Sequence, residues 1–63
     1  MKKGQKVKLD IKYKKRILLL ATEEHLEKIY TIIDEKFDLE DILLEYDNGK
    51  ICRFNKEWLV PIE

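Results

Sequence analysis

From Val7 to Lys14 the chain alternates without a break: Val7, Leu9, Ile11 and Tyr13 interleave with Lys8, Asp10, Lys12 and Lys14. Successive side chains of a strand point to opposite faces, so this run predicts a strand with one face on a core and a lysine-rich face in water. A second signal lies near the end of the chain, where Asn48-Gly49 separates two β-rich runs. Both residues accept the positive φ that a two-residue type I′ hairpin turn requires. With that turn, Asp47 faces Lys50, Tyr46 faces Ile51, Glu45 faces Cys52 and Leu43 faces Phe54. One face of the hairpin then carries Ile42, Leu44, Tyr46 and Ile51, and the other Leu43, Cys52 and Phe54. A flat two-layer sheet does not need two apolar faces. A tightly coiled barrel with a further segment packed outside it does.

The middle of the chain mixes two patterns. Thr22-Glu-Glu-His25 reads as a helix start, with a capping hydroxyl and two acids at the positive end of the helix dipole. Leu26, Ile29, Tyr30 and Ile33 continue at helical spacing and extend such a helix to Lys36. Against this, Ile29-Tyr-Thr-Ile-Ile33 is a run of β-branched and aromatic residues that suits a pleated sheet. A short helix from Glu23, followed by a strand from Ile29 to Glu35, is the preferred reading, and the continuous helix is the alternative. Asn55-Lys-Glu-Trp58 predicts one turn of 3₁₀ helix. Leu59 to Ile62 predicts a last short strand, with Pro61 suited to a sheet edge.

Length and composition narrow the function. Sixty-three residues are expected to form one domain, 1–63, with room for a single small core that seldom supplies more than roughly 3 to 5 kcal/mol, so modest stability or help from self-association is expected. The one cysteine, Cys52, excludes an internal disulfide and suits a reducing compartment, so a cytoplasmic protein is expected. The longest apolar run, Ile17 to Ala21, has five residues, far short of the 18 or so that cross a bilayer, and no membrane role is expected. The Lys-rich start leads into alternation rather than an apolar leader segment. The chain is expected to be complete and soluble.

Net charge is zero, but residues 1–16 hold eight basic side chains against one acid, a net of +7, which residues 17–63 offset. Lys6, Lys8, Lys12 and Lys14 project from one side of the predicted strand, with same-face neighbours roughly 6.6 Å apart. With Arg16 they form a candidate track for a nucleic-acid backbone; the plainer reading is a solubilising strand face that discourages edge pairing.

The order strand, long excursion, three-stranded meander, single turn and short strand resembles that of SH3-like small barrels. The stretch Gly49-Lys-Ile-Cys-Arg-Phe-Asn-Lys-Glu-Trp-Leu59 is similar to their ending. More narrowly, Tyr30-Thr31-Ile32 and Leu44-Glu-Tyr-Asp-Asn-Gly49 resemble segments of short SH3-like proteins from phages and mobile elements of Gram-positive bacteria. The resemblance covers Ile29 to Ile62 and the first strand. It implies a mainly β fold: an SH3-like five-stranded small barrel with a short helix in the connection after the first strand. Phe54 and Leu59 would be core, and Cys52 would take a small buried position. The basic, apolar excursion Lys14 to Leu20 departs from signalling SH3 domains, so their recognition of proline-rich ligands is not implied.

Such barrels host many functions. Trp58 is expected either to plug the barrel or, beside Tyr13 or Tyr30, to form the contact surface of a non-enzymatic binding or adaptor module for a protein partner. Nucleic-acid binding through Lys6, Lys8, Lys12, Lys14 and Arg16 is the alternative. Ile17, Leu18, Leu19 and Leu20 either cover the barrel or join two copies in a homodimer. His25 has no partner at metal spacing and reads as an ordinary helix residue. Cys52 has no base beside it, and the acids form no recognisable catalytic pair, so no enzyme and no cofactor are expected.

Overall fold

The computed structural model describes residues 1–62. Its first strand, β1 (Lys6–Leu9), buries Val7 and Leu9 and exposes Lys6 and Lys8, as alternation dictates. It stops well short of the expected Lys14. The Asp10 carboxylate accepts a hydrogen bond from the Lys12 backbone N–H at 3.0 Å and caps a 3₁₀ turn over Ile11–Tyr13. A short acidic side chain offers the backbone this local alternative to a ladder, and here it ends the strand. Ile11, assigned to the core face by alternation, is in consequence 70% exposed.

The chain then forms one short α-helix, α1 (Lys14–Ile17), whose last residue is fully buried. A 3₁₀ turn over Glu23–Glu27 begins where a helix was expected, although Thr22 makes no side-chain cap bond. From there the chain enters β2 (Tyr30–Asp34), which buries Tyr30 and Ile32. The β-branched run is therefore a strand, and the continuous helix to Lys36 does not form. Packing on both sides of this segment outweighs its helical spacing.

Strands β3 (Asp41–Tyr46) and β4 (Lys50–Asn55) make the expected hairpin in a different register. Leu44 pairs with Cys52, Ile42 with Phe54 and Tyr46 with Lys50, so the loop holds three residues, Asp47 to Gly49. All three have positive φ: 46° at Asp47, 56° at Asn48 and 123° at Gly49. Aspartate tolerates this region nearly as well as asparagine, so the turn takes one residue more than Asn-Gly requires. A slip of one residue exchanges the faces of a strand. Ile42, Leu44, Cys52 and Phe54 thereby share the inner face, while Ile51 turns outward and is 53% exposed. The hairpin has one apolar face, and the expectation of two is overturned.

A 3₁₀ turn at Lys56–Trp58, capped by Asn55 whose Oδ1 accepts from the Glu57 N–H at 2.8 Å, leads into β5 (Leu59–Pro61). β5 pairs antiparallel with β1, Leu9 opposite Leu59 and Val7 opposite Pro61. The result is one five-stranded antiparallel sheet in the order β4-β3-β2-β1-β5, with Pro61 on an edge strand as expected. One core of Val7, Leu9, Ile17, Tyr30, Ile32, Ile42, Leu44, Phe54 and Leu59 gathers the inner faces of all five strands and the end of α1. Cys52 packs against this core half-buried.

Candidate functional site: an aromatic row beside a basic turn

Two capped turns meet where β1 ends and β5 begins. The Asp10 cap sends Tyr13 back toward the sheet, and the Asn55 cap delivers Trp58. The Asp10 N–H donates to the Trp58 carbonyl and ties the turns together. The Tyr13 and Trp58 rings consequently stack, with centroids 6.4 Å apart and planes 27° from parallel. Both are half-buried, apolar enough to pack and open enough to touch another molecule. The ammonium of Lys12 lies 5.3 Å from the Tyr13 ring centre.

The row continues inward. Phe54 lies 6.4 Å from Trp58 and 6.0 Å from the His25 ring. His25 in turn lies edge-on to Tyr46 at 5.3 Å and nearly parallel to Tyr30. Nδ1 of His25 is 2.8 Å from the Tyr30 hydroxyl, which donates to the His25 carbonyl at 3.2 Å. With that proton committed to the carbonyl, the contact at Nδ1 is one in which Nδ1–H donates to the phenol oxygen. His25 is thus a packed member of the row, a role sequence reasoning missed. Its five-residue separation from Tyr30 fits neither a helix nor a strand, so neither periodicity discloses it.

Of the three expected contact residues, the structure brings Tyr13 and Trp58 together. Tyr30 is fully buried and presents no surface; burial also raises its phenol well above the ordinary tyrosine range. The expected lysine track is divided. Lys6 and Lys8 leave β1 on its wet face, with Lys6 Nζ donating to Thr31 Oγ1 at 2.7 Å. Lys12, Lys14 and Arg16 belong instead to the turns beyond Asp10, where with Lys15, Ile11 and Tyr13 they line an open depression. Ile17 is core, whereas Leu19 and Leu20 are open to solvent.

The remaining charges are largely structural. Arg53 reaches Asp41 and Asp38, each at 2.8 Å, and stands 5.0 Å from the Phe37 ring centre. Lys28 pairs with Asp47 at 2.7 Å, a hydrogen bond that raises the lysine and lowers the aspartate from their ordinary pKa values. Burial pushes the Cys52 thiol up to about 11, the opposite of what a nucleophile requires. No group of His, Cys, Asp and Glu among the described residues is placed to hold a metal ion. The arrangement offers an apolar aromatic contact with cations beside it. No family model, curated protein or solved structure matches the chain.

Proposed function

We propose that this chain is a non-enzymatic binding module, an SH3-like small barrel acting as an adaptor, with the Tyr13–Trp58 shelf as its contact surface for a protein partner. The observation that carries this reading is the stacking of two half-buried rings delivered by separate capped turns. Both rings pack against the core and remain partly open, and partly open aromatic side chains held in place by packing are the anchors that contribute most of an interface's energy. The strand order β4-β3-β2-β1-β5, with the excursion between β1 and β2 and the single turn before β5, supports the SH3-like assignment. Lys12 and Lys14 beside the shelf favour a partner segment that carries acids next to an apolar side chain.

Capture by immobilised protein from a lysate of the native host tests the surface. Tyr13→Ala and Trp58→Ala, each checked for retained folding, are expected to lose the partner that the wild-type chain retains. Equal capture by a folded Tyr13→Ala variant removes the shelf as the contact surface, even where Trp58→Ala proves too unstable to assay.

A further inference from the structure

The segment Ile11 to Leu20 carries an exposed apolar tip that neither the core nor the aromatic shelf uses. Leu19 is 84% and Leu20 76% exposed, and Ile11 in the preceding turn is 70% exposed. These side chains are held outward by defined backbone. The Leu18 N–H donates to the Lys14 carbonyl at 3.0 Å, and the Leu20 and Ala21 N–H groups donate to the Ile17 carbonyl at 3.0 and 2.9 Å. With Ile17 anchored in the core, the helical turn aims Lys15 and Leu19, four residues apart, away from the protein. Lys15 and Arg16 precede Leu19 and Leu20 by one helical turn, and with Lys12 and Lys14 they line the depression beside Ile11, all four exposed.

We infer that this tip docks on an anionic lipid surface, with Leu19 and Leu20 entering the headgroup boundary and the four cations resting on the lipid charges. The combination selects the occupant. A nucleic-acid backbone would neutralise the cations but gives two aliphatic side chains no apolar interior to enter. A second copy joined about a two-fold axis would bury the leucines but bring the same cations face to face. An anionic bilayer accepts both, since interfacial binding sums buried apolar area and attraction to acidic headgroups. No helix among the described residues is long and apolar enough to cross a membrane. The acids Glu23 and Glu24 follow the tip, and Glu23 stands 4.0 Å from Lys14; Lys15 and Arg16 therefore carry most of the attraction.

Co-sedimentation of the full chain with vesicles of phosphatidylcholine, alone or mixed with phosphatidylserine, tests this. Binding is expected to the mixed vesicles only and to weaken as salt rises. Lys15→Glu with Arg16→Glu is expected to weaken it by at least about 25-fold, at roughly fivefold per basic residue removed. Leu19→Ser with Leu20→Ser is expected to weaken it about tenfold or more. The leucines are exposed, so this variant is expected to retain its fold, which circular dichroism checks. Three outcomes overturn the inference: no pelleting with mixed vesicles at low salt, binding indifferent to the leucine pair, or a wild-type dimer in sedimentation that this pair abolishes. Binding to single-stranded DNA that survives the leucine pair, without vesicle binding, reassigns the cations to nucleic acid.

Discussion

The Tyr30 hydroxyl lies between two atoms of His25, 2.8 Å from Nδ1 and 3.2 Å from the carbonyl oxygen, and so pins the turn before β2 to the sheet. Because Tyr30 is fully buried, this contact belongs to the interior although His25 is partly open.

Tyr30→Phe keeps the ring and deletes both bonds. It is expected to lower stability by about 1 to 2 kcal/mol, the usual result of leaving hydrogen-bonding groups without their partner. Urea unfolding would show a lower midpoint with an unchanged slope. An unchanged midpoint would mean that the contact contributes nothing to folding.

Gly49 sits at φ 123° with open space where a Cβ would stand, so any cost of adding one is conformational. Gly49→Ala is expected to destabilise by about 1 kcal/mol or more, because an L side chain is strained there. Asn48→Gly, at φ 56°, is expected to be neutral or slightly stabilising. Thermal melts of the two variants should separate accordingly, and equal behaviour would contradict the three-residue loop.

Cys52 is held as a neutral thiol by burial, its pKa pushed up from 9.0 to about 11. The folded chain therefore keeps this proton more firmly than the unfolded one. Stability from this site is complete below about pH 9 and declines as pH rises through 9 toward 11. Alkylation of the native protein near pH 8 is expected to be much slower than that of the urea-unfolded chain. Equal rates would place the thiol in water.

Asp47 is lowered from its ordinary pKa chiefly by its hydrogen bond with Lys28. A carboxylate lowered on folding contributes above its unfolded pKa of about 3.9 and loses that contribution as pH falls through the folded value. Asp47→Asn is expected to flatten the acid limb of the stability profile below about pH 4 and, because the same bond raises Lys28, the basic limb above about pH 10 as well. Added salt should reduce the difference between variant and wild type, since both groups are near the surface.

Periodicity located much of the sheet and misjudged where its faces lie. β2, β5 and the turn ending at Trp58 follow from β-branched runs, Pro61 and the Asn55 cap, all of which act over a few residues. The end of β1 does not, because a single side-chain bond from Asp10 overrides an alternation that continues to Lys14. The hairpin register depended on whether Asp47 joined the turn, and both choices satisfy local turn chemistry. Only the burial of Phe54 beside Ile42 and Leu44 selects between them. For the site, aromatic content singled out Tyr13 and Trp58, whose stacking requires both turns. It also suggested Tyr30 as surface, where the third dimension makes it core, and it gave no hint of His25.

The aromatic row, the outward Ile51 and the single apolar face all rest on the pairing of β3 with β4. Cross-strand nuclear Overhauser contacts between backbone protons of Leu44 and Cys52, and of Ile42 and Phe54, test it most directly. The structure predicts both sets. Contacts pairing Glu45 with Cys52 and Leu43 with Phe54 instead would contradict it, turn Phe54 away from Ile42 and Leu44, and remove the inner support of Trp58.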